Sequence, residues 1–538
     1  MENKRIIIAT VICFVILVAW QYLADYMGWV PQQQNAENTQ VETQTAENTK
    51  MPEPAQTDLN LNAAPFFAPG EGKNIVVRTP LYTAVFHSAG GILESFVLND
   101  ISETSSPHSP FLDMIGKVAK SASPMGLLVN GQPSWNAGSW KISAENLILE
   151  KGEKQSLVFE GNLNGLLIKR ELSFDAGTYL INEKITYNAE DGKAFIARVG
   201  YTLAGTEYSS SSTYNPMQVV WNKESSYEND SDVSKLREEG MVENGQLLFA
   251  GLSNNYFLSA VAPQSKNGLV KARIQSDVWR VAYEEQPVTI NAGSPVVSEL
   301  AWWFGPKDAK LLEAAPNELI KTIHYGFFGI LAKPLLWLLS FFQSFVGNWG
   351  VAIICLTILI KVVFWPLTKK SYKSMEQMKK IAPLMEDIKK KYGNDREKLS
   401  KEMMQLYRTY NINPMSGCLP IFVQLPVFIA LYNALLNSEN LRHAEFITYL
   451  PFTDILWLAD LSVKDPLYIT PLVMGATMFL QQWLSPAVGD PTQRKVMMLM
   501  PVIFTFMFLN FPSGLVVYWL CNNVISIAQQ WWTLRKVR

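Results

Sequence analysis

The chain predicts a polytopic α-helical membrane protein joined to a large all-β sandwich domain. Three observations point there. Short segments rich in Val, Ile, Tyr and Phe, punctuated by turn clusters, fill the stretch from Phe66 to Pro306. Apolar runs long enough for a bilayer crowd the part after residue 324. The loops between those runs alternate between basic and acidic. Composition averages hide this division: the 538 residues are 48% hydrophobic and 17% charged, with a net charge of -2. That balance excludes a globally basic, sequence-specific nucleic-acid binder. The four cysteines, Cys13, Cys355, Cys418 and Cys521, lie in or beside apolar runs and form no C-x-x-C or metal-ligand spacing. With only four histidines as well, no metal and no cofactor is expected.

The first 29 residues read as a retained membrane anchor. Lys4 and Arg5 precede an uncharged run from Ile6 to Ala24, longer than a signal-peptide core and without a small-residue cleavage site after it. The basic flank places the N-terminus in the cytoplasm. Residues 30–64, rich in Gln, Asn, Thr, Glu and Pro, cannot bury enough surface to offset their ordering entropy, so a flexible linker is expected.

Residues 65–318 form the β domain, on the far side of the membrane. NIVVRTPLYTAVFHS, TYLINEKITYNA and AFIARVGYTL carry strand composition, and turns are expected at Asn130-Gly131, Asn164-Gly165, Asp191-Gly192 and Asn244-Gly245. An antiparallel sandwich fits. Some large β-sandwiches are sugar epimerases, which need a His and a carboxylate set for proton transfer. Nothing around His87 or His108 signals such a site, so a binding or docking role is expected and no enzyme.

Residues 319–347 are aromatic-rich and interrupted by Pro334, and the next apolar run follows at once. An amphipathic helix lying in the outer interface, anchored by tryptophans, is expected; another span is the alternative. The remainder, 348–538, supplies five spans: Trp349–Thr368, Gly417–Leu436, Leu467–Leu484, Val496–Phe511 and Leu515–Trp532. Residues 369–416 are strongly basic, 438–466 are mostly acidic, and Arg494, Lys495, Arg535, Lys536 and Arg538 are basic again. Six spans with both termini in the cytoplasm satisfy every cluster.

Lys361 interrupts the first of these five spans, where a charge costs about 3 kcal/mol on insertion scales. No Asp or Glu lies in the five spans to pair with it. Its stem is too short to reach the interface by itself, because Lys369 lies eight residues on, about 12 Å at 1.5 Å per residue. A hydrated cavity open to the cytoplasm is therefore expected, lined by Thr357 one turn earlier, Gln424, Tyr518, Trp519 and Asn522, with Thr477, Thr505 and Asn523 adding polar atoms. The run Val496–Phe511 is also short for a bilayer, which favours local thinning.

Between the first two spans, residues 369–416 read as a helical hairpin broken at Gly393-Asn394 and restarted by Asp395. Met375, Met378, Ile381, Leu384 and Ile388 form one apolar face; Leu399, Met403, Leu406 and Tyr410 form the other. Lys379, Lys380, Lys389 and Lys390 lie outside it. A methionine-rich surface suits transient contact with varied apolar segments.

Four segments taken together, FVGNWGVAIICLTILIKVVFWPLTKKSYKSM, NPMSGCLPIFVQLPVFIALYNALL, DPLYITPLVMGATMFLQQWLSP and MPVIFTFMFLNFPSGLVVYWLCNN, resemble the YidC/Oxa family of membrane protein insertases in its Gram-negative form. The resemblance covers essentially the whole chain. It implies a bacterial inner-membrane insertase and chaperone with a five-helix core and a periplasmic sandwich. Nascent membrane proteins, the ribosome, the signal recognition particle pathway, membrane lipids, and the Sec translocon with its SecDF accessory subunits are the partners it implies. By the same resemblance Lys361 is the groove cation, Thr357 and Gln424 are groove polar residues, Trp519 is a substrate contact, and the basic hairpin recruits clients. The family usually has arginine where this chain has Lys361, which keeps the charge but loses the planar five-donor fork. The rival readings are a small-solute transporter, which predicts internal symmetry, and a structural scaffold with a sensing domain.

Overall fold

In a computed structural model, residues 72–537 are described, apart from 137–139, 191–193, 209–213, 225, 394, 411, 413–418 and 485–490. The expected anchor, the linker and the Asp191-Gly192 turn lie outside the described residues. The rest falls into two compact units, divided between His324 and Tyr325.

The unit up to His324 is a layered β structure around one apolar core. Strict alternation builds it. In Leu166–Asp175, residues Leu166, Ile168, Arg170, Leu172 and Phe174 point inward; across the ladder in Leu180–Ala189, so do Ile181, Glu183, Ile185 and Tyr187. The period of two thus carries one cation and one anion into the core. Arg170 donates to the Glu183 carboxylate, to the Gly90 carbonyl and to the Met125 carbonyl (2.8 Å), while the Trp302 indole donates to Glu183 (2.7 Å). Strand pairs are antiparallel except for Asn74–Arg78 beside Asn146–Ile148, which run parallel.

Asn130-Gly131 and Asn164-Gly165 are two-residue hairpin turns with positive φ at both positions, as Asn-Gly favours. Asn244-Gly245 is not a turn. It lies inside the strand Met241–Ser253, which pairs with Asn267–Gln275 up to Gln246 and with Phe257–Pro263 from Ala250 onward. Gly245, at φ 133°, bends the strand where it changes neighbours.

Among the described residues from Tyr325 onward there are eight α-helices: α1 (Gly329–Val346), α2 (Trp349–Val363), α3 (Trp365–Tyr392), α4 (Arg396–Thr409), α5 (Leu419–Leu436), α6 (Ile469–Leu484), α7 (Pro491–Phe508) and α8 (Ser513–Val537). Left-handed Gly347 ends α1, and the Asn348 side chain caps α2 by accepting from the Val351 N–H (3.0 Å). α2 stops at Val363 and α3 leaves at 64° to it. The basic segment is therefore helical from Trp365, four residues before the expected start, and the last turn of the expected span belongs to α3. Pro366 explains the break: it lacks an N–H, fits a first helical turn and cannot continue α2.

By length and composition α1 is the one helix among the described residues fit to cross a bilayer by itself, and the bent pair α2–α3 passes when taken together. The 15 residues of α2 and 16 of α6 span about 22 and 24 Å against a hydrocarbon core of about 30 Å. Helix lengths alone therefore do not yield six spans. α1, expected in the interface, exposes Ile330, Trp337, Phe341 and Phe345 while burying Ala332 and Leu339. α6 and α7 cross closely at Gly475, where a Cβ would lie within 3.0 Å of the Thr505 Cβ.

α3 and α4 pack on each other through Met378, Ile381, Met385, Leu406 and Tyr407, with Ile412 beneath. Leu384 and Tyr410, expected on the apolar faces, are exposed instead. Met385 and Tyr407 take their places, one and three positions away along the helices. Asp395 accepts from the Lys398 N–H (3.1 Å) and caps α4 as expected. Between α5 and α6, where only an acidic loop was expected, Ile447–Tyr449 and Leu456–Leu458 form an antiparallel strand pair. Phe446 packs against Gly350 and accepts from the Asn348 amide, fixing this pair to the start of α2.

Candidate functional site

Four helices converge on the one cation of α2. Lys361 is 7% exposed, and its ammonium donates to Ser526 Oγ on α8 (2.7 Å). The Ser526 hydroxyl in turn donates to the Asn522 carbonyl one turn earlier (2.7 Å). Gln424 of α5 donates its amide to Asn522 Oδ1 (2.5 Å), and Tyr372 of α3 donates to the Ser526 carbonyl (3.4 Å). Lys361, Gln424, Asn522, Ser526 and Tyr372 thus form one chain of hydrogen bonds across α2, α3, α5 and α8. Among the described residues no carboxylate pairs with Lys361.

The local folding reasons are simple. Lys361 follows Thr357 by one turn, so both project from one face of α2. The Thr357 hydroxyl donates to the Ile353 carbonyl of its own helix (2.7 Å), leaving its lone pairs alone for another group. On α8, Asn522 and Ser526 are four apart and share a face for the same reason. Gln424 precedes Pro426 inside α5, a helix whose ladder is already interrupted.

Trp519 is half-buried in an aromatic box, with Phe428 edge-on at 4.6 Å, Phe508 at 5.3 Å and Phe504 stacked at 6.3 Å. Tyr518 is buried within the apolar core of this unit beside Phe428. It joins the packing of α5 on α8, and Trp519 is the more open of the two. Thr477 and Thr505 bond back to carbonyls of their own helices, while the Asn523 amide reaches Thr477 at 3.4 Å. In the basic helical pair, Met378 is buried, Met375 and Met403 are half-buried, and Lys379, Lys380, Lys389 and Lys390 face outward.

Sequence reasoning placed Lys361, Gln424 and Asn522 together but passed over Ser526, Tyr372 and the aromatic partners of Trp519. The signal for Ser526 was present, since it lies one turn after Asn522. A lone serine in an apolar run reads as ordinary helix packing, which is why it was missed.

The arrangement can do one thing chemically: hold a cation away from bulk water with a single neutral acceptor. Two family models match the chain, the YidC periplasmic domain over residues 74–338 and the 60Kd inner membrane protein over residues 341–538. A membrane protein insertase YidC from Nitratidesulfovibrio vulgaris (strain DP4) is 51% identical over all of both chains. The insertase of the same description from Lawsonia intracellularis is 48% identical, again over all of both chains. Among solved structures, an active YidC insertase with its first transmembrane domain resolved shares 19% identity at a TM-score of 0.36, over 87% of this chain and 94% of that one. A putative aldose 1-epimerase from Escherichia coli K12 aligns with 44% of this chain and all of its own at 8% identity and a TM-score of 0.30. At those TM-scores the assignment rests on the sequence matches, and these are full-length: the chain belongs to the YidC family of bacterial inner-membrane protein insertases, with a periplasmic domain and no enzymatic activity.

Proposed function

We propose that Lys361 marks a hydrated, positively charged groove that opens to the cytoplasm and receives acidic hydrophilic segments of nascent membrane proteins. The observation that carries the reading is the buried ammonium whose bonded partner, among the described residues, is a neutral hydroxyl. A cation so placed interacts far more strongly with an arriving carboxylate than it would in water. Trp519, half-open in its aromatic box, offers the apolar part of a client a flat surface on the helix that also carries Ser526.

In this reading the chain spans the membrane six times with both termini in the cytoplasm, and α1 lies in the outer interface. Short α2 and α6 favour a thinned bilayer around the groove, lowering the barrier to passage of a short hydrophilic tail. The exposed lysines of α3 and the methionines between α3 and α4 recruit clients from the ribosome or the signal recognition particle pathway. Insertion proceeds alone or beside the Sec translocon and its SecDF subunits, with the periplasmic domain serving as a docking module.

The test places a photo-crosslinking amino acid at Trp519 and, as control, at Val524, an exposed position of the same helix. A ribosome-stalled single-span client with an acidic N-tail is presented in membranes. A crosslink at Trp519 and none at Val524 is the expected result. Equal yields at both positions, or none at Trp519 with folded protein and a targeted client, would refute the groove reading.

A further inference from the structure

The serine that holds Lys361 has a fixed polarity. Ser526 has one hydroxyl proton, directed to the Asn522 carbonyl, so the oxygen meets the ammonium with a lone pair. The ammonium has three donors and Ser526 occupies one, which leaves two to engage a ligand. Ser526 is itself buried, and Tyr372 tethers its carbonyl from α3. Nearby polar groups are committed elsewhere: Thr357 donates to its own helix, and Gln424 and Asn522 are bonded to each other. Among the described residues, Ser526 is the side chain that fixes where the charge sits. A lysine without that bond, on a flexible four-carbon stem, swings toward the nearest water.

We propose that Ser526 is the positioning residue that pins the Lys361 ammonium between α2 and α8, and that this pinning sets how strongly an acidic client tail is preferred over a neutral one. The inference rests on the reading that Lys361 receives client segments. A neutral hydroxyl suits the role because it orients the cation without neutralising it. A carboxylate at the same place would form an internal ion pair and compete with the client. A methyl group would leave the ammonium unanchored.

The full-length chain, reconstituted in vesicles, is tested with two single-span clients that differ only in the tail: three acidic residues in one, their amides in the other. The quantity read is the ratio of initial insertion rates, acidic over neutral. Ser526→Ala should lower this preference about tenfold, the equivalent of one hydrogen bond to a charged group. Ser526→Thr keeps a hydroxyl on the same face of α8 and should restore it. Ser526→Asp should abolish it, so that acidic and neutral tails insert at equal rates. A fall of equal size for both clients in Ser526→Ala would assign Ser526 to packing alone and overturn the proposal.

Lys361→Ala separates this inference from the reading beneath it. Loss of preference in Lys361→Ala with wild-type preference in both Ser526→Ala and Ser526→Asp would leave the groove reading standing and sink the positioning role. Unchanged preference in Lys361→Ala would sink both. Should Ser526→Asp fail to fold, judged by its unfolding midpoint in detergent, the Ala and Thr pair decides the matter alone.

Discussion

Replacing Arg170 by methionine in the β domain removes a cation that is completely buried. Its removal strands the Glu183 carboxylate in the core with the Trp302 indole as its remaining donor, and strips a donor from the Gly90 and Met125 carbonyls. Breaking a buried ion pair from one side costs about 3–5 kcal/mol, and each orphaned acceptor adds about 1 kcal/mol or more, so the upper end, about 5 kcal/mol, is expected. With a urea dependence of about 3 kcal/mol per M for a domain of this size, the midpoint should fall by about 1.7 M. Pulse proteolysis of the full-length chain in urea, following the β-domain fragment on a gel, reads that midpoint without interference from the membrane helices. Removing the anion as well, in Arg170→Met with Glu183→Leu, should recover most of the loss, because no uncompensated charge remains. A midpoint shift below about 0.3 M for the single variant, or no recovery in the double, would refute the view that the carboxylate depends on Arg170.

Lys307, buried at the end of the strand Val296–Pro306, has its pKa pushed down to about 7 by desolvation. Between pH 7 and the unfolded value of 10.5 the unfolded chain binds the extra proton, so this group makes the domain more stable as pH rises through that window. Lys307→Met should therefore stabilise the domain at pH 7, with a benefit that shrinks to nothing above pH 10.5; a benefit flat with pH would contradict the assignment. Gly475→Val should separate α6 from α7, because the new side chain meets Thr505, whose hydroxyl is held by the Pro501 carbonyl. A loss of about 1–3 kcal/mol in detergent unfolding is expected, partly recovered by adding Thr505→Ala. Asp395→Ala removes the α4 cap and should cost that helix about 1 kcal/mol, seen as faster proteolysis between α3 and α4 with no change elsewhere.

Much of this molecule is legible in the sequence because two periodicities speak clearly. Period two in LLIKRELSF fixes the strand, its neighbours and the inward face, and the Asn-Gly pair before it fixes the register. Helical spacing likewise put Thr357 with Lys361 and Met378 with Ile381. Misreadings occurred where a local signal had two meanings. Asn-Gly favours a tight turn, yet at Asn244-Gly245 the surrounding strand had to bend between two partners, and glycine serves that as well. The apolar run around Lys361 continues to Leu367 without a polar break, so composition could not reveal that Pro366 divides it into two helices. The helical pair slipped for another reason: apolar residues on adjacent positions compete for one face, so Met385 packs where Leu384 was expected, and Tyr407, one turn earlier, packs where Tyr410 was. Ser526 was passed over because a serine in an apolar helix reads as ordinary packing, although it lies one turn after Asn522 and bonds Lys361.

Three of the buried cations among the described residues, Arg170, Lys307 and Lys361, show three different resolutions of the same electrostatic problem. Arg170 is fully buried with donors directed to a carboxylate and to main-chain carbonyls, so its charge is matched inside the core and the pair serves the fold. Lys307 has no ion pair among the described residues, and desolvation moves its pKa until losing the proton is the cheaper course near neutral pH. Lys361 belongs to neither class. It has one neutral acceptor, enough to fix its position and too little to satisfy it, in a unit that elsewhere presents apolar side chains outward. A charge in that condition lowers its energy most by meeting a carboxylate, and within the described part of its own unit none pairs with it. In the groove reading proposed above, that carboxylate comes from outside the fold. On that proposal the carboxylate belongs to an acidic segment of a client, and the segment completes the coordination that Ser526 leaves open at Lys361.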